Sequence, residues 1–295
     1  MKKIGVIGVP GIWSSEHLAD ALERRTGFRL LMPIEEITLD LGRGKLSYRG
    51  DDLDGLDGLV IKKIGSRYSH HSLDRLEVLR HLNSEGMPIF SSPRTIARAI
   101  DRLSCTLTLS RGGIPIPDTV ITEQIETAAD TVSIFGKAVL KPLFTSKARG
   151  MKVLEDSAGI RAEIESFHLE HPVMYIQKLV KVPGRDLGLV FLGGEYLATY
   201  ARVGRKDTWT TTTHFGGRYE SFEPSPELVE LARKAQALFG LAFTCVDVAE
   251  TPEGPNVFEV SAFGGYRGLL EAHGIDAAQL FADYVLKSIN DGRTK

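Results

Sequence analysis

The sequence predicts a mixed fold, α/β in its N-terminal part and α+β in the remainder. Three observations support this prediction. Short apolar strands alternate with helical stretches from Lys3 to about Ser92, which is typical of a parallel sheet. A boundary follows, where SSP precedes a long helical stretch that ends in two glycines. Farther on, the segment from Phe243 to Gly265 reads as a hairpin of two strands.

The N-terminal segment, residues 1–92, supplies the parallel lobe. Its predicted strands are KIGVIGV, GLVIKKI and MPIFS, and its predicted helices are HLADALERR and LDRLEVLRHLNSEG, the second closed by Gly86. The glycines Gly5, Gly8 and Gly11 do not match the dinucleotide fingerprint GxGxxG. A dehydrogenase that uses this lobe to bind a nicotinamide cofactor is therefore a poor alternative.

The remainder is divided into segments 93–180 and 181–295. The first contains one predicted helix, RTIARAIDRLSCTLTLSRGG, an extended linker, IPIPDTVI, and then strand KAVLKPLF, loop TSKARG, strand MKVL, a helix from about Ala158 to Glu170 and strand VMYIQKLV. The second contains strands DLGLVFL and EYLATYARV, a loop from Gly204 to Gly217, helix PELVELARKAQALFG, the hairpin and a last helix, DAAQLFADYVLKSIN.

Composition narrows the class of protein. The 295 residues are 42% hydrophobic and 25% charged, as expected of a soluble globular chain. A formal charge of −2 argues against a nucleic-acid partner, which would require a basic excess. Gly and Pro interrupt the apolar N-terminus, and no apolar stretch is long enough to cross a bilayer, so we expect no membrane association. Only Cys105 and Cys245 are present, which fits a reducing cytoplasm.

The hairpin carries one carboxylate on each strand. If the turn is centred on Glu253, Glu250 faces Asn256 and Asp247 faces Glu259, with Cβ atoms roughly 5 Å apart. Facing carboxylates repel unless a cation lies between them, and their oxygens suit Mg²⁺ that already carries nucleotide phosphates. The alternative is a pair of solvated residues on the open face of an antiparallel sheet.

Alternation along the two strands assigns the other positions of the hairpin. Ser261 shares the face of Glu259, because it lies two residues farther on. The predicted core-facing side chains are Val246, Val248, Phe258 and Val260. The small residues of SAFGG follow, and they allow backbone and ligand to approach closely.

Two further stretches contain charged residues in unusual positions. Lys141 lies within an aliphatic strand, and the next loop adds Ser146, Lys147, Arg149 and Gly150, which together resemble a phosphate cradle. The alternative is a lysine that reaches solvent beside an ordinary basic turn. The strand ending in QKLV offers backbone groups to a flat base, and a turn with Arg185 and Asp186 follows. That turn has its own alternative, an ordinary Pro-Gly turn with a surface ion pair.

Three motifs in this order resemble the ATP-grasp superfamily, and within it the RimK-like carboxylate-amine ligases: KAVLKPLFTSKARGMKV, IQKLVKVPGRDLGLVFLGG and VDVAETPEGPNVFEVSAFGG. The segment from LVIKKIG to IPIPDT resembles the lead-in of the same family, so the resemblance covers nearly the whole chain. The GAK-system ATP-grasp group looks closest. The resemblance implies two α+β lobes that enclose ATP, and an acylphosphate intermediate that an amine attacks.

Residue roles follow from this resemblance. Arg102, Lys141 and Lys147 are expected at the ATP phosphates, and Arg202 and Arg218 at the transferring phosphoryl group or the substrate carboxylate. Gln177, Lys178 and Val180 match the adenine segment, and Asp186 lies on the ribose side. Asp247 and Glu259 match the metal ligands, with Ser261 as a third, for Mg²⁺ or Mn²⁺. The implied partners are a small-molecule or peptide carboxylate and an amine, and relatives often form homo-oligomers.

The chain also departs from the family pattern. Ser261 stands where relatives carry an asparagine, and Gly188 stands where PGRDIR has its second arginine. The loop TSKARG is basic where relatives are richer in glycine. These departures leave open a second class of function, a nucleotide-binding regulatory or partner protein without ligase activity. His214, which follows the strand that carries Arg202, is a modest candidate for the substrate pocket. Tyr266 and Arg267, just after the hairpin, are candidates to meet an acidic substrate, or else they cap the next helix.

Overall fold

In the computed structural model, which describes residues 1–145, 148–204 and 217–292, the strands pair into four sheets. The N-terminal sheet is parallel and has the order β2-β1-β6-β7, as the alternation of strands and helices predicts. Its part of the chain contains β1 (Ile4–Ile7), α1 (Trp13–Thr26), β2 (Leu31–Met32), β3 (Ile37–Asp40), β4 (Lys45–Tyr48), β5 (Asp51–Asp52), β6 (Gly58–Ile61), α2 (His71–Ser84) and β7 (Ile89–Phe90). The small antiparallel sheet β3-β4-β5 was not expected.

The long helix predicted after the N-terminal sheet is two helices, α3 (Pro93–Ile100) and α4 (Arg102–Arg111). The break lies at Asp101, whose backbone is extended and whose carboxylate accepts hydrogen bonds from the amides of Leu103 and Ser104. A carboxylate in this position satisfies amides that the first helical turn leaves unpaired, so it begins a new helix. The prediction of one helix was wrong because Asp101 was not recognised as a cap.

The central sheet is antiparallel, with the order β10-β9-β11-β8. Its elements are β8 (Thr119–Thr122), α5 (Ile125–Phe135), β9 (Lys137–Lys141), β10 (Lys152–Glu155), α6 (Ile160–Glu170) and β11 (Met174–Lys178). The stretch IPIPDTVI was predicted to be an extended linker, and its second half pairs with β11 as an edge strand. The helices α5 and α6 cover one face, and their apolar residues form a separate core that includes Val132, Ile164 and Phe167.

The C-terminal sheet is antiparallel and has the order β14-β13-β12-β15-β16. Its elements are β12 (Arg185–Leu192), β13 (Glu195–Val203), β14 (Arg218–Phe222), α7 (Pro226–Ala237), β15 (Phe243–Thr251), β16 (Gly254–Ser261), α8 (Tyr266–His273) and α9 (Ala277–Asn290). The elements β14 and α8 were not expected as separate units. Ser225 caps α7, because its hydroxyl accepts from the amide of Leu228.

Two apolar clusters join the N-terminal and C-terminal sheets. One cluster combines Ile7, Leu59 and Leu79 with Val246 and Val260 from the hairpin. The other combines residues of α1, α8 and α9, and Arg25 of α1 forms an ion pair with Asp283 of α9. The last helix therefore returns to the beginning of the chain. No helix in the described part of the chain is long and apolar enough to cross a membrane.

Candidate functional site

A cleft of about 630 Å³ is lined by residues of the central and C-terminal sheets and by the end of β6. Most of the site residues predicted from the sequence meet here: Arg102, Lys141, Gln177, Lys178, Val180, Asp186, Arg202, Asp247, Glu259 and Ser261. These residues are spread over about 160 positions of the chain. The fold therefore brings the charged residues of three separate motifs to one surface.

The hairpin β15-β16 pairs Asp247 directly with Glu259, as predicted. The register near the turn differs, because Glu250 pairs with Pro255 and not with Asn256. A β-bulge between Asp247 and Val248 accounts for the difference, since the outer part of the hairpin is shifted by one residue. The prediction for Glu250 was wrong because the turn was centred on Glu253, whereas Thr251 pairs with Gly254 in the structure.

Phe258 is the extra residue of this bulge. Val248 pairs with Val257 and Asp247 pairs with Glu259, so Phe258 has no partner in the ladder. Its side chain was predicted to face the core, but it lines the cleft, where the Lys141 Nζ lies 5.3 Å from the centre of its ring. The bulge breaks the alternation of two and places an aromatic side chain beside the two carboxylates.

Arg202 lies between two carboxylates of the cleft. Its guanidinium donates to Asp186 through Nε at 2.9 Å and through Nη2, and the same Nη2 lies 3.0 Å from Oδ1 of Asp247. The strand register explains the arrangement, because Asp186 of β12 pairs with Arg202 of β13, and Gly188 of β12 pairs with Asp247 of β15. The other oxygen of Asp186, Oδ1, is buried and has no hydrogen-bond partner.

Burial raises the pKa of Asp247 to about 7, against the opposing attraction of Arg202, and the nearby charges of Glu259 and Asp186 raise it further. A cation between the two carboxylates would favour the charged form of Asp247. Within the described residues no group of three or more His, Cys, Asp or Glu side chains can hold a metal ion. Two facing carboxylates suit a metal that takes its other ligands from phosphate and water, as Mg²⁺ does.

Opposite the hairpin, Lys141 is held by a chain of hydrogen bonds in the central sheet. Its Nζ donates to Oε1 of Gln177, and Nε2 of Gln177 donates to Oγ1 of Thr119 and to the hydroxyl of Tyr175, each at 3.0 Å. Gln177 is only 3% exposed. Gln177 therefore orients Lys141 from below the cleft.

Burial lowers the pKa of Lys141 to about 7, and the positive charge of Arg102 lowers it further. Arg102 is itself desolvated, which lowers the pKa of its guanidinium, and its Nη1 is buried without a hydrogen-bond partner. Nη2 of Arg102 donates to the carbonyl of Thr145 at 3.1 Å. Two desolvated cations side by side, one with an unpaired donor, favour an anionic ligand.

The predicted adenine segment lies at the end of β11. The amide of Lys178 donates to the carbonyl of Asp118, and the amide of Leu179 donates to the carbonyl of Lys137, each at 2.9 Å. These two amides are therefore already paired within the central sheet. Val180, Leu179 and Val182 add apolar surface to this end of the cleft.

Other predicted residues are placed differently. Arg218 begins β14, and its side chain is 75% exposed, forms an ion pair with Glu220 and is not among the residues that line the cleft. Ser261 lines the cleft, and its Oγ accepts a hydrogen bond from the amide of Phe263 at 3.4 Å. Lys147 and His214 lie outside the described residues.

Gly188, which replaces an arginine of the family motif, is required by packing. A Cβ atom at this position would lie 2.4 Å from Cζ of Tyr200, and one at Gly268 would lie 2.5 Å from Cε1 of the same ring. Tyr200 therefore packs between two glycines, and its hydroxyl lies 3.3 Å from the Sγ of Cys245. An arginine does not fit beside this ring.

Several cleft residues were missed by sequence reasoning. Lys63 follows the buried strand β6, Tyr68 lies in the loop after it, and Tyr200 and Tyr219 come from the C-terminal sheet. For Lys63 a signal existed, since ligands in α/β folds bind beyond the carboxyl ends of parallel strands. The aromatic residues had no such signal, because tyrosine on a strand is equally typical of a core.

The fold defines the class of protein. The ATP-grasp ligase PsnB, solved with a minimal precursor, superposes with a TM-score of 0.76 at 19% identity over 97% of this chain and 99% of that one. A RimK domain ATP-grasp protein from Sphaerobacter thermophilus superposes with a TM-score of 0.75 at 21% identity over 96% and 99%. At these identities the likeness concerns the fold, which is the ATP-grasp fold expected from the sequence.

Residues 99–285 match the model of the RimK-like ATP-grasp domain, so the chain belongs to the RimK-like ATP-grasp family. A tetrahydromethanopterin:alpha-L-glutamate ligase of Methanosarcina acetivorans is 26% identical over 97% of this chain and 99% of its own length. A probable alpha-L-glutamate ligase of Methanococcoides burtonii is 28% identical over 96% and 95%. The predicted class, an ATP-dependent ligase that joins a carboxylate to an amine, is confirmed. The narrower resemblance to the GAK-system group stays a prediction.

Proposed function

We propose that this ligase uses magnesium-bound ATP to activate a carboxylate as an acylphosphate, which the amino group of glutamate or a similar amino acid then attacks. One observation carries this proposal: Asp247 pairs with Glu259 in the hairpin, and this pair lines the same cleft as Lys141 and Arg102. Carboxylates on one wall and desolvated cations on the other match the charges of a metal-bound triphosphate.

The reaction has two steps. A carboxylate oxygen of the substrate attacks the γ-phosphorus, the bond from the γ-phosphorus to the β,γ-bridging oxygen breaks, and ADP leaves. The amine nitrogen then attacks the acyl carbon, inorganic phosphate leaves with the electrons of the carbon–oxygen bond, and the nitrogen loses a proton. In-line phosphoryl transfer depends on positioning and on charge stabilisation more than on a protein base.

The cations of the cleft have distinct roles in this proposal. Lys141, held by Gln177, contacts the phosphates, and Arg102 directs its unpaired Nη1 toward them. Arg202 bridges Asp186 and Asp247, so it lies close enough to the carboxylate pair to stabilise charge on the transferring phosphoryl group. Asp247 and Glu259 would hold the metal, which neutralises phosphate charge when bound. The roles of Ser261 as a further ligand and of Asp186 at the ribose are proposals of the same kind.

The identity of the amine rests on relatives. Several similar proteins are named alpha-L-glutamate ligases, and the chain covers nearly their full length. Glutamate carries a carboxylate and an amine, so a single compound can act as both substrates in a first assay. The carboxylate of a peptide or of a cofactor is the corresponding acid in the cell under this proposal.

The test is the double substitution Asp247→Asn with Glu259→Gln. It removes both metal-binding charges at nearly constant shape, so we expect ADP formation with MgATP and L-glutamate to fall at least about a hundredfold. Circular dichroism should be unchanged. Glu253→Gln, in the turn of the same hairpin, is the matched control and should keep wild-type turnover. Turnover that survives the double substitution, with Mg²⁺ or with Mn²⁺, would contradict the metal assignment.

A further inference from the structure

Among the described residues, six cations line the cleft: Lys63, Arg102, Lys141, Lys178, Arg202 and Arg267. The proposed phosphoryl transfer uses Arg102, Lys141 and Arg202, and the Nζ of Lys178 lies 3.6 Å from Asp118 at the adenine end. Lys63 and Arg267 have no part in that chemistry. They come from two distant elements, the end of β6 and the first turn of α8, yet both line the same cleft as Asp247 and Glu259.

Backbone geometry directs Lys62 and Lys63 to different places. The amides of both residues donate to the carbonyl of Ile7, at 2.8 and 3.1 Å, which ends the parallel strand. Lys62 is 2% exposed, its Nζ donates to the carbonyl of Phe263 at 2.9 Å, and it lies 3.6 Å from the ring centre of Tyr266. This contact fixes the loop before α8 against β6. Lys63 reaches the cleft instead.

Arg267 is oriented by neighbours on both sides. Its guanidinium carbon lies 5.4 Å from the ring centre of Trp13, which in turn stacks on His17 with a centroid distance of 5.1 Å. Its Nε is 3.8 Å from Glu271, one turn farther along α8, and its side chain is 60% exposed. A stacked arginine is preorganised, so it loses less conformational entropy when it binds a carboxylate.

Apolar surface accompanies the two cations. Tyr68 and Phe263 line the cleft, with ring centroids 6.3 Å apart. Gly264 and Gly265, between the hairpin and Arg267, bring bare backbone to the cleft surface. Two cations and two aromatic rings that line the same cleft suit a ligand with a short methylene chain that ends in an anion.

We propose that Lys63 and Arg267 form a subsite for the side-chain carboxylate of a dicarboxylic amino-acid substrate. The role of this subsite is in substrate specificity and not in catalysis, because it contacts neither the reacting carboxylate nor the reacting amine. This inference rests on the proposed ligase function and extends it to the selection of the amino acid. A neutral side chain of the same size brings no negative charge to these two cations, so the enzyme prefers L-glutamate to L-glutamine.

The test measures binding and turnover separately. Calorimetry with L-glutamate in the presence of MgADP should give a Kd about tenfold or more higher for Arg267→Gln than for wild type, which corresponds to the loss of a charged hydrogen bond. Lys63→Gln should act in the same direction. Binding of L-glutamine should change less than about threefold, so the preference for L-glutamate narrows. The KM for ATP should not change.

Two variants serve as controls. Arg267→Lys keeps the charge and should recover most of the glutamate preference. Arg80→Gln removes an arginine of similar exposure, 57%, that pairs with Glu77 within α2, and it should behave as wild type. If Arg267→Gln weakens the binding of L-glutamate and of L-glutamine equally, Arg267 has a structural role and the inference is overturned. Equal affinity of the wild-type enzyme for the two amino acids would also overturn it. If glutamate binding depends on Arg267 but mass spectrometry detects no amide product, the ligase function is contradicted and the subsite is not.

Discussion

Lys141 combines burial with an incomplete set of partners. Gln177 accepts one hydrogen bond from its ammonium group, Phe258 presents a ring at 5.3 Å, and Arg102 is close enough to oppose its charge. Desolvation is the largest cause that lowers the pKa of Lys141, to about 7. A phosphate in contact would restore the charged form, so nucleotide binding and protonation of Lys141 are coupled.

This coupling predicts a pH dependence. Above pH 7 the free enzyme holds Lys141 partly neutral, while the phosphate complex holds it charged, so ATP binding takes up a proton and weakens as pH rises from about 7 to 9. Calorimetry with ATP and EDTA, in two buffers of different ionisation enthalpy, measures the uptake. EDTA removes the metal, so Asp247 does not contribute through metal binding.

The variant Lys141→Met should bind ATP more weakly and should lose the proton uptake at pH 8. Lys137→Met, at the exposed start of the same strand, is the matched control and should keep it. Undiminished uptake in Lys141→Met would assign the titration to a different group and refute this role for Lys141.

The facing carboxylates were predicted correctly, although the ladder between them and the turn is not regular. Thr251 pairs with Gly254, so a period of two alone would set Asp247 opposite Phe258, and the bulge at Phe258 restores the pairing of Asp247 with Glu259. Phe258 and Glu250 were misplaced, because one bulge shifts every residue toward the turn by one position. A bulge depends on the neighbouring strands and helices, and the sequence of the hairpin does not reveal it.

At the level of elements, β12 and β13 are adapted to one another around Tyr200. Gly188 pairs with Tyr200 across the two strands, and Gly268 of α8 lies on the other side of the ring. The ring also approaches Tyr219 edge-on, with a centroid distance of 5.2 Å. The glycine that departs from the family motif thus accommodates a tyrosine that borders the cleft.

We expect Gly188→Ala to destabilise the protein by about 1–3 kcal/mol, because the new Cβ would meet Tyr200 at 2.4 Å within a packed sheet. Thermal unfolding monitored by circular dichroism measures the loss. Gly55→Ala is the control, since its Cβ would meet nothing within 4 Å. Combining Gly188→Ala with Tyr200→Leu should cost less than the sum of the two single changes. Additive losses would show that the ring is not the cause.

At the scale of the whole molecule, the N-terminal and C-terminal parts of the chain are in contact near the chain ends and near the cleft. The last helix, α9, packs on α1, where Arg25 contacts Asp283 and Gln279. Near the cleft, Lys62 from the parallel sheet donates to Phe263 of the C-terminal part. Segment boundaries at residues 92 and 180 stay a prediction, as do self-association and a cytoplasmic location.

Because of Lys62, we expect the free energy of unfolding to depend on pH. Burial lowers the pKa of Lys62 well below its usual value, and the neighbouring charge of Lys63 adds to the effect. The unfolded chain then binds more protons than the folded protein at pH values between the two pKa values, so the free energy of unfolding rises with pH there, by at most about 1.4 kcal/mol per pH unit.

From pH 7.5 to pH 9.5, the free energy of unfolding of the wild type should therefore rise relative to that of Lys62→Met. Urea unfolding at several pH values measures it. Lys234→Met, at an exposed position of α7, should run parallel to wild type. Parallel curves for Lys62→Met would show that burial of Lys62 does not perturb its ionisation.

Local pattern in the chain was sufficient for the parallel N-terminal lobe and for the order of the three motifs. These features depend on strand periodicity, turns and spacing, which neighbouring residues set. Asp101, a helix cap, was equally local but was read as helix interior. The bulge at Phe258 and the carboxylate pairing that it restores, the packing of Tyr200 against Gly188, and the placement of Lys63 and Arg267 in one cleft were decided by tertiary structure. They join segments up to about 200 residues apart, and only the packing of sheets and helices determines which distant side chains share a surface.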